Sequence, residues 1–174
     1  MAGTQISRWF NWLDSKAAWQ FLSILYAVRW LLLVPYMIAE EFIFANDQVW
    51  VDMSSKLAEI NPALLFLLVV VISPFLETLL ECSLPFLVLS LIHRKKGRLP
   101  TRPWLFVIIS AILMTLLHPV MAAVVPAFIS GVFLAYCYAH FAPRGLRYAV
   151  MYTTAFHGAV NIVGWTTIVL GSNT

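Results

Sequence analysis

Ser73-Pro74-Phe75-Leu76-Glu77-Thr78-Leu79-Leu80-Glu81-Cys82-Ser83-Leu84-Pro85 is the stretch on which the fold turns. Its two acids, Glu77 and Glu81, interrupt an apolar run that extends from Pro62 to Ile92. A run of that length is a membrane span or a deeply buried helix, and in either setting an ionised carboxylate needs a partner, a proton or a function. Four residues apart, the acids are expected to share one face of a helix. Pro74 and Pro85 bracket that face. Each removes a backbone donor, which loosens the helix and exposes carbonyls. The stretch reads as the heart of an intramembrane site.

Composition supports a membrane setting for the rest of the chain. Of 174 residues, 61% are hydrophobic and 11% charged, and the mean hydropathy is +0.86. Soluble domains carry about 25% charged residues, so a soluble enzyme is excluded. The expected fold class is all-α: a polytopic membrane helix bundle of about five transmembrane spans with a cytoplasmic N-terminus. Residues 1–16 read as an interfacial segment, with Ile6, Trp9, Phe10 and Leu13 at helical spacing, and residues 17–174 as the bundle. Cys82 and Cys137 both fall in apolar runs, where a thiol behaves as a small hydrophobe, so no disulfide framework is implied.

The first span is expected from about Ala17 to Ile38, with Arg29 near its middle. A cation at that depth should turn to other helices and meet a carboxylate, and Glu77 and Glu81 are the acids available at depth. Residues 39–61 are acidic, carrying Glu40, Glu41, Asp47, Asp52 and Glu59 against Lys56. The second span, Pro62 to Ile92, is too long for a straight crossing and should bend at Pro74 or Pro85. Residues 93–102 hold Arg94, Lys95, Lys96, Arg98 and Arg102, a topology signal and not a nucleic-acid site. The third span runs from Trp104 to about His118-Pro119, the fourth from about Ala122 to Phe141, and the fifth from about Tyr148 to Leu170. Ala123, Ala127, Gly131, Ala135 and Ala139 recur every fourth residue along the fourth, a seam that lets helix backbones approach closely. With Arg144 and Arg147 at the last turn, the basic loops alternate with the acidic one, which puts the N-terminus in the cytoplasm.

Besides Arg29, Glu77 and Glu81, the intramembrane polar residues are His118 on the third span and His157 with Asn161 on the fifth. His157 and Asn161 are four apart and share a helical face. Polar groups in lipid are costly apart, so the set is expected to converge. A carboxylate beside an imidazole can take a proton from water, and an amide or a second imidazole can donate to the oxyanion that forms at a peptide carbonyl. Glu77, His118 and His157 with an open fourth position would equally hold zinc. Spacing fits a metal-free and a zinc mechanism alike.

Residues 62–170 resemble the CAAX-protease and bacteriocin-processing (CPBP, or Abi) intramembrane peptidases, relatives of the Ras-converting prenyl-protein endopeptidase. The likeness rests on three boxes in order: Glu77-Thr78-Leu79-Leu80-Glu81-Cys82, Met114-Thr115-Leu116-Leu117-His118, and His157-Gly158-Ala159-Val160-Asn161. It implies an intramembrane endopeptidase, of glutamic type or metal-dependent, in which Glu77 and His118 activate the attacking water while His157 and Asn161 stabilise the tetrahedral intermediate. The family's second acid, arginine and phenylalanine are here Thr78, Cys82 and Met114. A buried Arg29–Glu81 ion pair would stand in for the lost support.

The partners expected are the lipid bilayer and a peptide or membrane-protein substrate, with no nucleic acid, and the resemblance points to a bacterial inner membrane. Two other classes compete. A catalytically silent relative would act as a membrane scaffold or immunity protein, and a small transporter could use the same Glu and His residues as a proton relay.

Overall fold

The computed structural model describes residues 12–43, 55–57, 59–94, 103–118 and 123–171. All of the secondary structure among them is helical. Helix α1 (Ala18–Ile43) is followed by a rod over 62–94 built of α2 (Pro62–Phe66), a π-helical segment (Leu67–Ile72), α3 (Ser73–Glu77), a second π segment (Thr78–Ser83) and α4 (Leu84–Arg94). Then come α5 (Pro103–Leu117), α6 (Val124–Phe141) and α7 (Leu146–Gly171). The chain is an all-α bundle.

Three stretches are long and apolar enough to cross a membrane: Ala18–Ala39, Pro62–Ile92 and Val124–Arg144. The first two bury only 22% of their most apolar windows inside the protein. Leu31, Leu76, Leu80 and Leu91 instead point outward, which suits lipid as the neighbouring phase. The other two expected spans differ from these. Helix α5 has 15 residues, about 22 Å at 1.5 Å each, short of the roughly 30 Å of hydrocarbon. Helix α7 is long enough at 26 residues, but His157, Asn161 and its threonines dilute its hydropathy.

Local sequence explains the joints. Asn61 caps the rod, accepting from the N–H groups of Ala63 (3.0 Å) and Leu64 (3.4 Å) ahead of Pro62. Between α6 and α7 the chain reverses at Gly145, whose φ of 119° suits glycine. The expected seam on α6 packs α5: a Cβ on Gly131 would lie 2.7 Å from the Cα of Ala111 and 2.9 Å from the Cβ of Met114. Phe21 of α1 stacks on His140 of α6 at 3.8 Å, and Phe141 stacks on Tyr152 of α7 at 4.3 Å. Within the expected interfacial segment, residues 1–11 lie outside the described residues. Leu13 is fully buried in the core, so its side chain belongs to the bundle and not to the lipid interface.

Candidate active site

The site begins with a missing N–H. In a π segment each N–H bonds the carbonyl five residues back, as Ser73 does to Leu68. The carbonyl of Val69 would then need the N–H of residue 74, and Pro74 has none. Helix α7 supplies the substitute: Asn161 Nδ2 donates to Val69 O at 3.0 Å. One turn earlier α7 lies directly on the next carbonyl. A Cβ on Gly158 would sit 2.6 Å from Val70 O, so a glycine is needed for that approach.

With α7 held there, His157 meets the rod at Glu77. Nε2 of His157 lies 3.2 Å from Oε2 of Glu77, an ion-pair separation, with the two side chains 3% and 20% exposed. The pair is not aligned as a hydrogen bond, and Nδ1 of His157 has no hydrogen-bond partner among the described residues. The other carboxylate oxygen, Oε1, accepts from Ser73 Oγ one turn back along the rod. The direct contact at this point is therefore between α7 and the rod.

His118, half-buried, follows the C-terminal end of α5, with Nδ1 2.8 Å from Met114 O. A carbonyl can only accept, so Nδ1 donates a proton to it, which leaves Nε2 as the nitrogen that bears the lone pair whenever the ring is neutral. In that tautomer His118 is a base and not an oxyanion donor.

Other expected contacts are replaced. Arg29 is buried but does not meet Glu81: its Nε and Nη2 donate to Ser130 Oγ at 3.1 and 2.9 Å, and that hydroxyl donates on to Pro126 O at 2.6 Å. Glu81 is 2% exposed and its Oε1 has no hydrogen-bond partner among the described residues. Nor do the two acids have the same surroundings: Glu77 meets His157 and Ser73, whereas Glu81 lies buried within the second π segment. The zinc set of Glu77, His118 and His157 does not assemble: among the described residues no three His, Cys, Asp or Glu side chains gather as ligands. Glu77 and His157 pair directly instead.

Two features escaped the sequence reading. Ser73 and Ser130 are ordinary serines with no signal beyond their spacing to Glu77 and Pro126. The second is a polar cluster at the other end of α6, where Asp14 Oδ1 lies 2.8 Å from His140 Nδ1 and accepts from Tyr136 OH at 3.2 Å. Asp14 is too far from α6 in sequence for spacing to have joined them.

Compared with known proteins, the chain matches no family model, no curated protein and no solved structure.

Proposed function

We propose that this chain is an intramembrane endopeptidase whose water-activating group is the Glu77–His157 couple. The observation that carries the reading is that couple itself: a carboxylate and an imidazole 3.2 Å apart, drawn from two helical rods inside an apolar bundle. Glu77 takes a proton from water as the oxygen attacks a peptide carbonyl carbon, and His157 stabilises the carboxyl–imidazole pair through that transfer. His118, presenting an unprotonated Nε2, is a second base through which the proton can pass to the departing amine. Asn161 spends one amide N–H on Val69 and keeps the other for the developing oxyanion. The cleaved bond lies in a peptide or membrane protein that reaches the bilayer interior.

The resemblance to the CPBP peptidases supports the endopeptidase class, although it implies His118 and not His157 as the partner of Glu77 in activating water. The basic loops support a five-span topology with a cytoplasmic N-terminus, and the resemblance supports a bacterial inner membrane. The competing reading is a catalytically silent membrane scaffold. It is favoured by one observation: Asn161 and Ser73 are both engaged in contacts that hold the fold without any substrate.

The test is N-terminal profiling of membranes from cells expressing the full chain. Wild type is expected to create new protein N-termini that are absent with Glu77→Gln and His157→Gln accumulated to the same level. Identical profiles in all three would remove the peptidase reading and leave the scaffold.

A further inference from the structure

An open apolar groove of about 750 Å³ runs between the rod and α7. Val70 and Gly158 are buried at its floor, while Phe75 and Met151 stand exposed at its rims. Its wall on α7 extends from Arg147 to Ile162, about 22 Å at 1.5 Å per residue. That length equals one leaflet: about half of a bilayer 40–45 Å thick with its headgroups. The two ends differ in chemistry. Apart from Thr154, Ile162 and the middle of the groove are apolar, whereas Arg147, beside the turn into α7, is exposed and pairs with no carboxylate among the described residues. Its guanidinium lies over the Tyr148 ring at 4.7 Å and donates from Nη2 to that hydroxyl at 3.0 Å, and these are its contacts among the described residues. Arg144 lies over the Phe141 ring at the same turn.

We propose that this groove is a binding site for one anionic phospholipid, with an acyl chain along Val70, Gly158 and Ile162 and the phosphate on Arg147. An apolar slot as deep as one leaflet, ending in a cation at its interfacial end, complements that molecule in both shape and charge. A basic residue at the membrane surface favours anionic over zwitterionic headgroups by about fivefold. Glu77 and His157 do not line the groove, although Gly158, the neighbour of His157, does.

The full chain, purified in mild detergent and stripped of lipid, is titrated with phosphatidylglycerol and with phosphatidylcholine of the same chains, and retained lipid is counted by native mass spectrometry. Wild type is expected to keep one phosphatidylglycerol per chain, preferred over phosphatidylcholine by about fivefold. Arg147→Gln should bring the preference to about one without lowering phosphatidylcholine retention, and Arg147→Lys should keep most of it. Ala155→Trp, which fills the groove from an exposed position on α7, should lower retention of both lipids, and Met151→Trp serves as the second blocking variant if the first does not fold. A preference that survives Arg147→Gln, retention unmoved by the folded blocking variant, or exclusion of both lipids by an apolar transmembrane peptide would overturn the assignment. None of these readouts depends on peptidase activity.

Discussion

Replacing Gly158 by alanine isolates the close approach on which the site depends. The added Cβ would meet Val70 O at 2.6 Å, well inside ordinary van der Waals contact. Backbone carbonyls cannot swing aside as side chains do, so α7 itself must move by several tenths of an ångström. Overpacking of this kind costs about 1–3 kcal/mol. Alanine also gains about 1 kcal/mol of helix propensity over glycine, which would blur the result if the variant were read alone. Gly164 supplies the reference, because on the same helix a Cβ there meets nothing within 4 Å. Subtracting the effect of Gly164→Ala cancels the propensity gain and leaves the steric cost. Thermal unfolding of the two variants in the same detergent should then differ by about 2 kcal/mol, or roughly 4–8 °C for a chain of this size, with Gly158→Ala the less stable. Because His157 is the adjacent residue, the same shift should also impair any reaction that depends on its distance to Glu77, and a misplacement of about 1 Å can cost on the order of a hundredfold. Equal melting temperatures for the two variants would refute the reasoning, since the carbonyl contact would then exert no strain.

Two further outcomes test the buried polar joints. Ser130→Ala removes the acceptor of both Arg29 donors and should cost about 1.5–3 kcal/mol by chemical unfolding, whereas Arg29→Met in the same background should recover part of the loss because no buried cation is left unpaired. Asn161→Ala leaves the Val69 carbonyl without a donor and should cost about 1–3 kcal/mol. In a Pro74→Ala background the restored N–H takes that carbonyl, and the same Asn161 substitution should cost less than about 0.5 kcal/mol beyond the ordinary loss of side-chain contacts.

The packing of α5 on α6 was legible because small residues every fourth position have one physical use in apolar surroundings, and Ala127, Gly131 and Ala135 are buried along that seam. The same clarity does not extend to partners. Arg29 was expected to seek a carboxylate, since opposite charge is the strongest inference available from residue types. The fold instead offers Ser130, which joins two cationic nitrogens to the spare carbonyl of Pro126. Glu77 and Glu81 look equivalent at four residues apart. They are not, because Ser73 and His157 meet Glu77 while Glu81 is enclosed in the core, and residue type and spacing carry no sign of that difference. Helix α7 was readable as a helix and is less apolar than the other spans, in part because His157 and Asn161 lower its hydropathy while meeting a carboxylate and a carbonyl of the rod.

These observations make Asn161 ambiguous in a way that a single substitution cannot resolve. Pro74 frees a carbonyl in apolar surroundings, where an unpaired carbonyl is costly, and the donor arrives from another helix. Asn161 is that donor, and its bond to Val69 sets the height of α7 and so carries His157 to Glu77. An inactive Asn161→Ala protein would therefore be expected whether the amide stabilises an oxyanion or only positions its neighbour. Pro74→Ala/Asn161→Ala separates the two, because the backbone then satisfies Val69 without the amide. Protein N-termini generated by Pro74→Ala but lost in the double variant, at equal thermal stability, would assign Asn161 to the oxyanion. Their persistence in the double variant would make it a positioning residue, and the polar face of α7 would then owe its asparagine to a proline on a different helix.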